Sequence, residues 1–153
     1  ATVHATDINV EILSELAGES GIVTHRLDVL DTAAVEALAA DARGHVVVEV
    51  DGVADELLPQ VPAGVQVHWL HRDGAVPGEV SLLPAAIRAL EWPEGRVHVF
   101  AHGEREAMKA LRDVVFGERG LERSQVSLSG YWAHGRTEDR FQAEKREPIG
   151  QIL

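Results

Sequence analysis

Two short blocks near the C-terminal end of the chain carry the residue types best suited to binding a flat ligand. Phe100-Ala101-His102-Gly103-Glu104 ends an apolar run and precedes a helical pattern, and Gly130-Tyr131-Trp132 ends a second such run. Tyr131 and Trp132 can stack on a planar ring, because aromatic faces favour offset stacking. Each block also has a purely structural interpretation, since a glutamate at a helix start is stabilised by the helix dipole and aromatic side chains anchor cores.

Basic side chains follow both blocks. Arg105, Lys109 and Arg112 recur at spacings of four and three, which places them along one helix face. They either attract phosphate groups or pair with neighbouring acidic residues as a solvated face. Lys145 and Arg146 lie between two glutamates, so they form either a contact for an anionic ligand or an exposed tail.

Histidine and cysteine usage argues against a metal site. The chain has 8 histidines and no cysteine, which excludes disulfides, thiolate nucleophiles, iron–sulfur clusters and cysteine-bound zinc. His68 and His71 are three apart in a predicted strand and so face opposite sides, and no His-Glu-x-x-His pattern occurs. A serine hydrolase is equally unsupported, because the chain has no Gly-x-Ser-x-Gly sequence. We therefore predict no metal ligands.

Composition describes a folded, acidic protein. The 153 residues carry a formal net charge of −11 and are 45% hydrophobic, which suits a single domain over residues 1–153. All of this net charge falls within residues 1–100, whereas residues 101–153 balance. The acidic balance disfavours nucleic acid and anionic membrane surfaces as partners. The chain has no membrane-length apolar run, no signal-peptide pattern and no cysteine, so we expect a cytoplasmic location.

Hydrophobic periodicity predicts strands that alternate with helices. Strands are predicted over 22–30, 45–50, 65–71, 96–101 and 125–132. Helices are predicted over 8–17, 31–42, 79–91, 103–117 and 137–146, with a short helix near 53–58. Such alternation implies right-handed crossovers and a parallel sheet with helices on both faces. The predicted fold is therefore a three-layer α/β domain with a Rossmann-like sheet of about five strands.

This predicted sheet also indicates where a ligand would lie. In open α/β sheets, ligands bind beyond the carboxyl ends of the strands, where the strand order reverses. If the predicted strands are ordered 3-2-1-4-5, the crevice lies between residues 28–32 and residues 101–104, with residues 130–135 beside it.

The two blocks, together with several further residues, resemble one protein family. The segments that carry the resemblance are Trp69-Leu70-His71-Arg72, Gly74, Pro77-Gly78, Phe100-Ala101-His102-Gly103-Glu104, Ala107, Leu111-Arg112, Glu118 to Gly120, Gly130-Tyr131-Trp132, Gly135 and Glu138. They are similar to the C-terminal domain of siderophore-interacting proteins, which are ferric-siderophore reductases related to the ferredoxin–NADP reductase superfamily. The resemblance covers residues 45–140 and implies the fold of a ferredoxin-reductase nucleotide domain.

The resemblance implies a reductase built from two lobes. Hydride passes from NADPH or NADH to a flavin, and electrons then reduce Fe(III) held by a siderophore, which releases the iron inside the cell. The chain resembles the nicotinamide-nucleotide lobe. We expect the flavin-binding barrel, with its FAD, on a partner domain or subunit, because the chain has no Arg-x-Tyr-[Ser/Thr] motif. Reductase activity is therefore expected only together with that flavin-binding part and a ferric siderophore.

The resemblance also implies site residues, although no catalytic residue. Those implied for cofactor binding are Asp31, Thr32, Ala33, His102, Gly103, Glu104, Arg112, Tyr131, Trp132 and Gly135, and those implied for siderophore binding are Lys145 and Arg146. One segment departs from the family, whose first strand ends in Gly-Asp-Glu-Thr-Ala-x-Pro-Ala. Here Val29 replaces the glycine, and Asp28 and Asp31 add negative charge where a pyrophosphate needs bare N–H groups. We therefore expect a weakened nucleotide site.

This departure leaves a second hypothesis open. A family member that has lost nucleotide binding can act as a non-catalytic interaction module, and pairing of two copies would bury an apolar face left without its partner lobe. The Gly103-Glu104 and Gly130-Tyr131-Trp132 blocks favour the reductase, whereas the departure over residues 29–35 favours the interaction module.

Overall fold

The computed structural model describes residues 3–7, 10–15, 17–18, 20, 22–26, 30–40, 42–57, 61–78 and 80–153. The chain divides into two units, one formed by Ala1–Val46 with Leu58–Gln66 and the other by Val47–Leu57 with Val67–Leu153. Both blocks singled out in the sequence belong to the second unit.

The first unit contains a parallel pair of strands, β1 (Val3–Asp7) and β2 (Ile22–Arg26). α1 (Val10–Ser14) connects these strands along the chain, as a parallel pair requires a crossover. α2 (Thr32–Ala39) begins where the Asp31 carboxylate accepts a hydrogen bond of 3.1 Å from the backbone N–H three residues further on. Asp31 is therefore the N-cap of α2.

The extents of the elements in this unit differ from the sequence predictions. The helix predicted over 8–17 ends at Ser14, and residues 8, 9 and 16 lie outside the described residues. The strand predicted over 22–30 ends at Arg26, residues 27–29 lie outside the described residues, and Leu30 is in a turn. β1 was not predicted, because Val3 is its only large apolar side chain and so the pattern that marks a strand is weak.

Strands and helices alternate from residue 44 onward. β3 (Gly44–Val50) and β4 (Val65–His71) form one two-stranded sheet, and β5 (Val99–Glu104) and β6 (Val126–Trp132) form another. Three helices accompany them: α3 (Leu82–Ala89) precedes β5, α4 (Arg105–Asp113) joins β5 to β6 and continues as a π-helical turn over Val114–Glu118, and α5 (Glu138–Glu144) follows β6.

Both of these strand pairs are parallel. β5 and β6 pair in the same direction. In the other pair, the hydrogen bonds from Gly44 N–H to Gly64 O and from Arg72 N–H to Val50 O lie at opposite ends, so β3 and β4 also run the same way. The carboxyl ends of the two strands in each pair consequently lie at the same edge.

The single sheet of about five strands is the main fold prediction that was wrong. The described strands pair two by two, as β1–β2, β3–β4 and β5–β6. The predicted neighbours 45–50 with 65–71 and 96–101 with 125–132 are confirmed, whereas the strand that starts at Ile22 pairs with the unpredicted β1. Periodicity identifies a strand but not its partner, because pairing depends on contacts between distant segments. The structure therefore establishes an α/β fold with parallel strand pairs.

The boundary between β5 and α4 lies further along the chain than the sequence predicts. The predicted strand ends at Ala101 and the predicted helix begins at Gly103, but β5 continues to Glu104 and α4 begins at Arg105. Glu104 has extended backbone angles (φ −63°, ψ 139°), because it is the N-cap of the helix. The other predicted helices from residue 31 onward exist with ends a few residues shorter, and Pro84 lies in the first turn of α3 as expected.

The core of the second unit lies between α4 and the β5–β6 pair. Its buried side chains are Met108, Leu111, Val115, Val126, Leu128 and Ile152. Strand alternation places Val126 and Leu128 on the core face and leaves Ser127 and Tyr131 exposed on the other face. Removal of these apolar side chains from water is the main free energy that holds β5, β6 and α4 together.

A buried carboxylate ties α5 to the start of α4. Glu144 accepts hydrogen bonds from Arg105 Nη1 (2.6 Å), Arg136 Nε (2.8 Å) and Arg140 Nε (2.9 Å). Arg105 and Glu144 are only 4% and 7% exposed. Each buried charge is tolerated because it is paired with the opposite charge of the other residue. The hydrogen bonds from Arg105, then from Arg140 and Arg136, lower the pKa of Glu144 to about 2.

Acid should therefore destabilise the fold through Glu144. Its folded-state pKa of about 2 lies below the ordinary 4.5, so the unfolded chain binds more protons between these pH values. The contribution of Glu144 to stability is present above pH 4.5 and is lost as the pH falls toward 2. We expect the free energy of urea unfolding to fall less steeply over this range in Glu144→Gln than in the unchanged protein. Glu147→Gln, an exposed glutamate just beyond α5, should keep the steep dependence, and equal slopes in all three proteins would contradict this assignment.

Candidate functional site

A cleft of about 280 Å³ opens at the carboxyl ends of β3 to β6 in the second unit. The lining residues that give it its chemistry are Glu49, Arg72, Gly78, Glu104, Met108 and Trp132. Sites for drug-sized ligands usually measure roughly 300–1,000 Å³. The cleft therefore has room for one ring system and not for a whole dinucleotide.

Glu104 joins three segments at the base of this cleft. Its Oε2 accepts hydrogen bonds from the backbone N–H groups of Glu106 (2.6 Å) and Ala107 (2.9 Å), at the start of α4. Its Oε1 accepts a third from the backbone N–H of His134 (3.1 Å), in the loop after β6. The residue is 4% exposed, and its charge is offset by these donors and by the positive end of the helix dipole.

A β-bulge brings the aromatic block to the same place. The β5–β6 register pairs Gly103 with Gly130, then shifts so that Glu104 lies opposite Trp132. Because of this shift, Trp132 and Glu104 both line the cleft, an effect that bulges commonly have near binding sites. Tyr131 is instead 59% exposed, and its ring stands edge-on to that of His102, with 4.3 Å between centroids.

An arginine and a glutamate at the ends of β3 and β4 complete the polar lining. Arg72 Nη1 lies 3.5 Å from Glu49 Oε1, and Arg72 Nη2 lies 3.2 Å from Asp51 Oδ1. Glu49 Oε1 also accepts a hydrogen bond of 3.0 Å from the backbone N–H of Gly78. The Nε of Arg72 is buried and has no hydrogen-bond partner among the described residues. This guanidinium is therefore incompletely satisfied.

Gly78 is required by the close approach of its loop to the cleft. Its φ of +76° lies in the region that favours glycine. A Cβ added there would lie 2.5 Å from Glu104 Cβ and 3.1 Å from Trp132 Cη2. Together with the hydrogen bond to Glu49, this packing holds the 73–78 loop against Glu104 and Trp132.

Four residues that the resemblance implies for cofactor binding meet in the cleft. His102, Gly103, Glu104 and Trp132 all line it. Their convergence follows from the carboxyl ends of β5 and β6 lying at one edge, as strands in a parallel pair do.

Other implied cofactor residues lie outside the cleft lining. Tyr131 faces away from it, and Gly135 occupies a turn beyond β6 with φ +68°. Arg112 hydrogen-bonds Asp113 Oδ1 at 2.8–2.9 Å and the backbone oxygen of Ile152 at 3.3 Å, which is the solvated-face alternative. Tyr131, Gly135 and Arg112 are therefore not among the residues that line this cleft, and their roles in cofactor binding stay predictions.

The remaining implied residues lie at the ends of two other helices, α2 and α5. Asp31, Thr32 and Ala33 lie at the start of α2 in the first unit, where Asp31 is the cap. Lys145 is at the end of α5, with its Nζ 4.8 Å from the centroid of the Phe141 ring, and Arg146 is exposed. Their roles in binding stay predictions.

Glu49, Arg72 and Gly78 line the cleft but were not among the predicted site residues, although Arg72 and Gly78 lie in segments that carry the resemblance. The available signal was the rule that ligands bind beyond strand carboxyl ends. That rule was applied only to the first and fourth predicted strands, yet Glu49 and Arg72 mark the ends of the second and third. Gly78 entered the sequence analysis only as part of the resemblance, because the need for a glycine there arises from packing against distant residues.

The lining fits a flat ring and does not fit a diphosphate. The first free N–H groups of α4 are already bonded to the Glu104 carboxylate, and Asp31 caps α2 in the same way. A phosphate at either helix start would meet a like charge and would find these donors taken. Trp132 offers an aromatic surface, and Arg72 offers N–H donors to a carbonyl oxygen on a ring.

Two further properties concern the described residues as a whole. No group of three or more histidine, aspartate or glutamate side chains among them is arranged to hold a metal ion. Within the same residues, no helix has the length and apolarity needed to cross a bilayer.

The structure defines an α/β fold with a cleft at the carboxyl ends of its strands. The family model described as siderophore-interacting protein matches residues 32–135, which is most of the chain. The chain belongs to the siderophore-interacting protein family, and the resemblance noted in the sequence is confirmed.

Curated relatives match about three quarters of the chain. An uncharacterised protein of Mycobacterium tuberculosis is 43% identical over 124 residues, covering 75% of this chain and 44% of that protein. The ferric vibriobactin reductase ViuB of Vibrio cholerae is 29% identical over 117 residues, covering 74% of this chain and 42% of ViuB. The chain thus spans less than half the length of these relatives.

Solved structures give the same family. A siderophore utilization protein from T. fusca is 35% identical with a TM-score of 0.58, covering 69% of this chain and 42% of that one. The siderophore-interacting protein SipS from Aeromonas hydrophila is 28% identical with a TM-score of 0.60, covering 77% and 48% respectively.

Replacement of Glu104 tests whether its carboxylate holds the cleft together. Glu104→Ala leaves the N–H groups of Glu106, Ala107 and His134 without their acceptor, so we expect the free energy of unfolding to fall by about 2 kcal/mol. Urea denaturation followed by circular dichroism measures this change. Glu94→Ala removes an equal charge from an exposed loop and should change stability by less than about 0.5 kcal/mol. A similarly small effect of Glu104→Ala would refute the role assigned to this residue.

Proposed function

We propose that the chain is the nicotinamide-nucleotide part of a ferric-siderophore reductase that releases iron in the cytoplasm. Its membership of the siderophore-interacting family and its similarity to a ferric vibriobactin reductase support this proposal. Because the chain covers less than half of that relative, reduction would require a flavin-binding domain or subunit in addition. The ferric siderophore is the substrate of the combined protein.

The observation that carries the proposal is the convergence of Trp132 and Glu104 in one cleft beyond parallel strand ends. Ligands of open α/β proteins characteristically bind at this position. The cleft volume of about 280 Å³ suits a single ring system. A nicotinamide or flavin ring is of that kind, and both belong to the chemistry of such reductases.

The bound cofactors supply the redox chemistry, with NADPH or NADH as hydride donor and FAD on the partner domain as the carrier of electrons to iron. Trp132 would stack on the ring, and Glu104 would hold the cleft in shape. The diphosphate would lie away from the start of α4, because Glu104 occupies those N–H groups. Lys145 and Arg146 are proposed to meet the anionic siderophore, and Asp31, Thr32 and Ala33 are proposed, from the resemblance, to take part in cofactor binding.

A second candidate function is a non-catalytic interaction module, acting with another protein or as a homodimer. It is favoured by the two helix starts at which a carboxylate, Asp31 or Glu104, already takes the N–H donors that a phosphate needs. It is also favoured by the exposed aromatic side chains Phe100 (74%) and Tyr131 (59%), since exposed apolar surface promotes association.

Calorimetric titration of the chain with NADPH and with FAD separates these candidates. We expect micromolar binding of at least one ligand, weakened about fivefold by Trp132→Ala because stacking contributes on the order of 1 kcal/mol. Phe100→Ala removes an exposed aromatic ring outside the cleft lining and should leave the dissociation constant unchanged. No heat with either ligand, together with a dimer in analytical ultracentrifugation, would contradict the reductase proposal and support the interaction module.

A further inference from the structure

Two side chains offer the cleft unused hydrogen-bonding capacity. Arg72 has five N–H donors; Nη1 donates to Glu49 and Nη2 donates to Asp51, so each Nη keeps a second N–H that no described residue accepts. Glu49 Oε1 accepts from Arg72 and from Gly78, but no described residue donates to Glu49 Oε2. Both residues line the cleft. An unused donor and an unused acceptor therefore lie next to each other in its lining.

We propose that Glu49 and Arg72 recognise the amide edge of a planar ring bound in the cleft beside Trp132. An amide presents a carbonyl oxygen to Arg72 and an N–H to Glu49, so both unused groups gain partners at once. This inference rests on the proposed function, since it concerns the ligand of the same cleft. It adds the chemical group that the cleft selects.

The hydrogen-bond lengths identify Arg72 as the side chain that adjusts to a ligand. Its bonds of 3.5 Å and 3.2 Å are longer than the roughly 2.7–2.9 Å of strong charge-assisted bonds. The orphaned Nε is unfavourable, because a buried donor has lost its water without gaining an acceptor. A carbonyl oxygen in the cleft gives the Nη groups, which make these long bonds, a further acceptor.

Charge explains why the selected group is an amide and not a carboxylate. Arg72 is the only lysine or arginine among the described residues that line the cleft, whereas Glu49 and Glu104 both line it. A ligand carboxylate would bring a negative charge beside Glu49 and would present no N–H to it. A neutral amide avoids this repulsion. Sites that hydrogen-bond a ligand through both a donor and an acceptor discriminate strongly against analogues that leave one of these protein groups without a hydrogen bond.

Two cofactor rings carry such an edge. The nicotinamide ring has a primary carboxamide, and the pyrimidine part of a flavin has an N–H between two carbonyl groups. Matched ligand pairs distinguish them, because each pair changes only the amide edge. NADP⁺ is paired with nicotinic acid adenine dinucleotide phosphate, in which a carboxylate replaces the carboxamide. Flavin mononucleotide is paired with its N3-methyl derivative, in which the N–H is blocked.

The experiment measures dissociation constants for both pairs by tryptophan fluorescence quenching and calorimetry on the full chain. We expect the intact amide to bind at least about tenfold more tightly than its altered partner in one of the pairs. That pair identifies the ring. This comparison uses the unchanged protein, so it stays decisive even if a variant fails to fold.

Glu49→Gln then tests the residue assignment. The variant removes the charge that repels a carboxylate, so the preference for NADP⁺ over its acid analogue should fall to about threefold or less. If the flavin pair is the selective one, the variant should weaken flavin mononucleotide about tenfold and its N3-methyl derivative much less. Asp73→Asn removes the same charge from an exposed loop residue and should keep the full preference.

Equal affinities within both pairs, with Trp132-dependent quenching retained, would overturn the amide inference and leave the proposed function standing. Failure of all four ligands, of NADPH and of FAD to bind would instead overturn the proposed function itself. A preference that persists unchanged in Glu49→Gln would refute the assignment to Glu49 and Arg72.

Discussion

The shape of the cleft depends on the hydrogen bonds of one carboxylate, that of Glu104. It accepts hydrogen bonds from backbone N–H groups in the first turn of α4 and from the N–H of His134 beyond β6. Glu104 also packs so closely on Gly78 that no side chain fits at that position. A buried carboxylate without donors is strongly unfavourable. The start of α4, the loop after β6 and the 73–78 loop must therefore stay together, and they carry Trp132 into position.

The same hydrogen bonds decide which ligands suit the site. In nucleotide-binding α/β proteins, free N–H groups at a helix start commonly hold a phosphate. Here the corresponding N–H groups of α4 already donate hydrogen bonds to the Glu104 carboxylate. What remains open to a ligand is the ring of Trp132, the incompletely satisfied Arg72 and one oxygen of Glu49. These groups suit a ring with polar edges.

The sequence predicted local features well and long-range pairing poorly. β3 and β4 have nearly the predicted bounds, because runs such as His45–Val50 are β-branched and apolar. The helix starts near residues 31 and 137 were also predicted, and Asp31 and Thr137 are the N-caps there, since capping involves residues only three apart. The five-stranded sheet was wrong, because no local pattern specifies which strands pair.

Prediction of the site was limited in the same way. Glu104 and Trp132 follow strands and could be placed at a strand end from sequence. Their exact register could not, because it depends on the bulge after Gly103, and so the sequence did not separate Trp132, which lines the cleft, from Tyr131, which does not. Arg72 is a candidate only once its orphaned Nε and its distance from Glu49 are known.

The central claim is that a cofactor ring binds beside Trp132 in this cleft. Titration of the ¹⁵N-labelled chain with NADPH and with FAD, followed by the indole N–H signals of its 3 tryptophans, tests it most directly. The account predicts that the Trp132 indole and the Gly78 amide shift together with at least one ligand, while the indole of Trp92, which packs under Arg119, does not move. Shifts confined to Trp92, or no shift of Trp132 at saturating concentrations of both ligands, would contradict it.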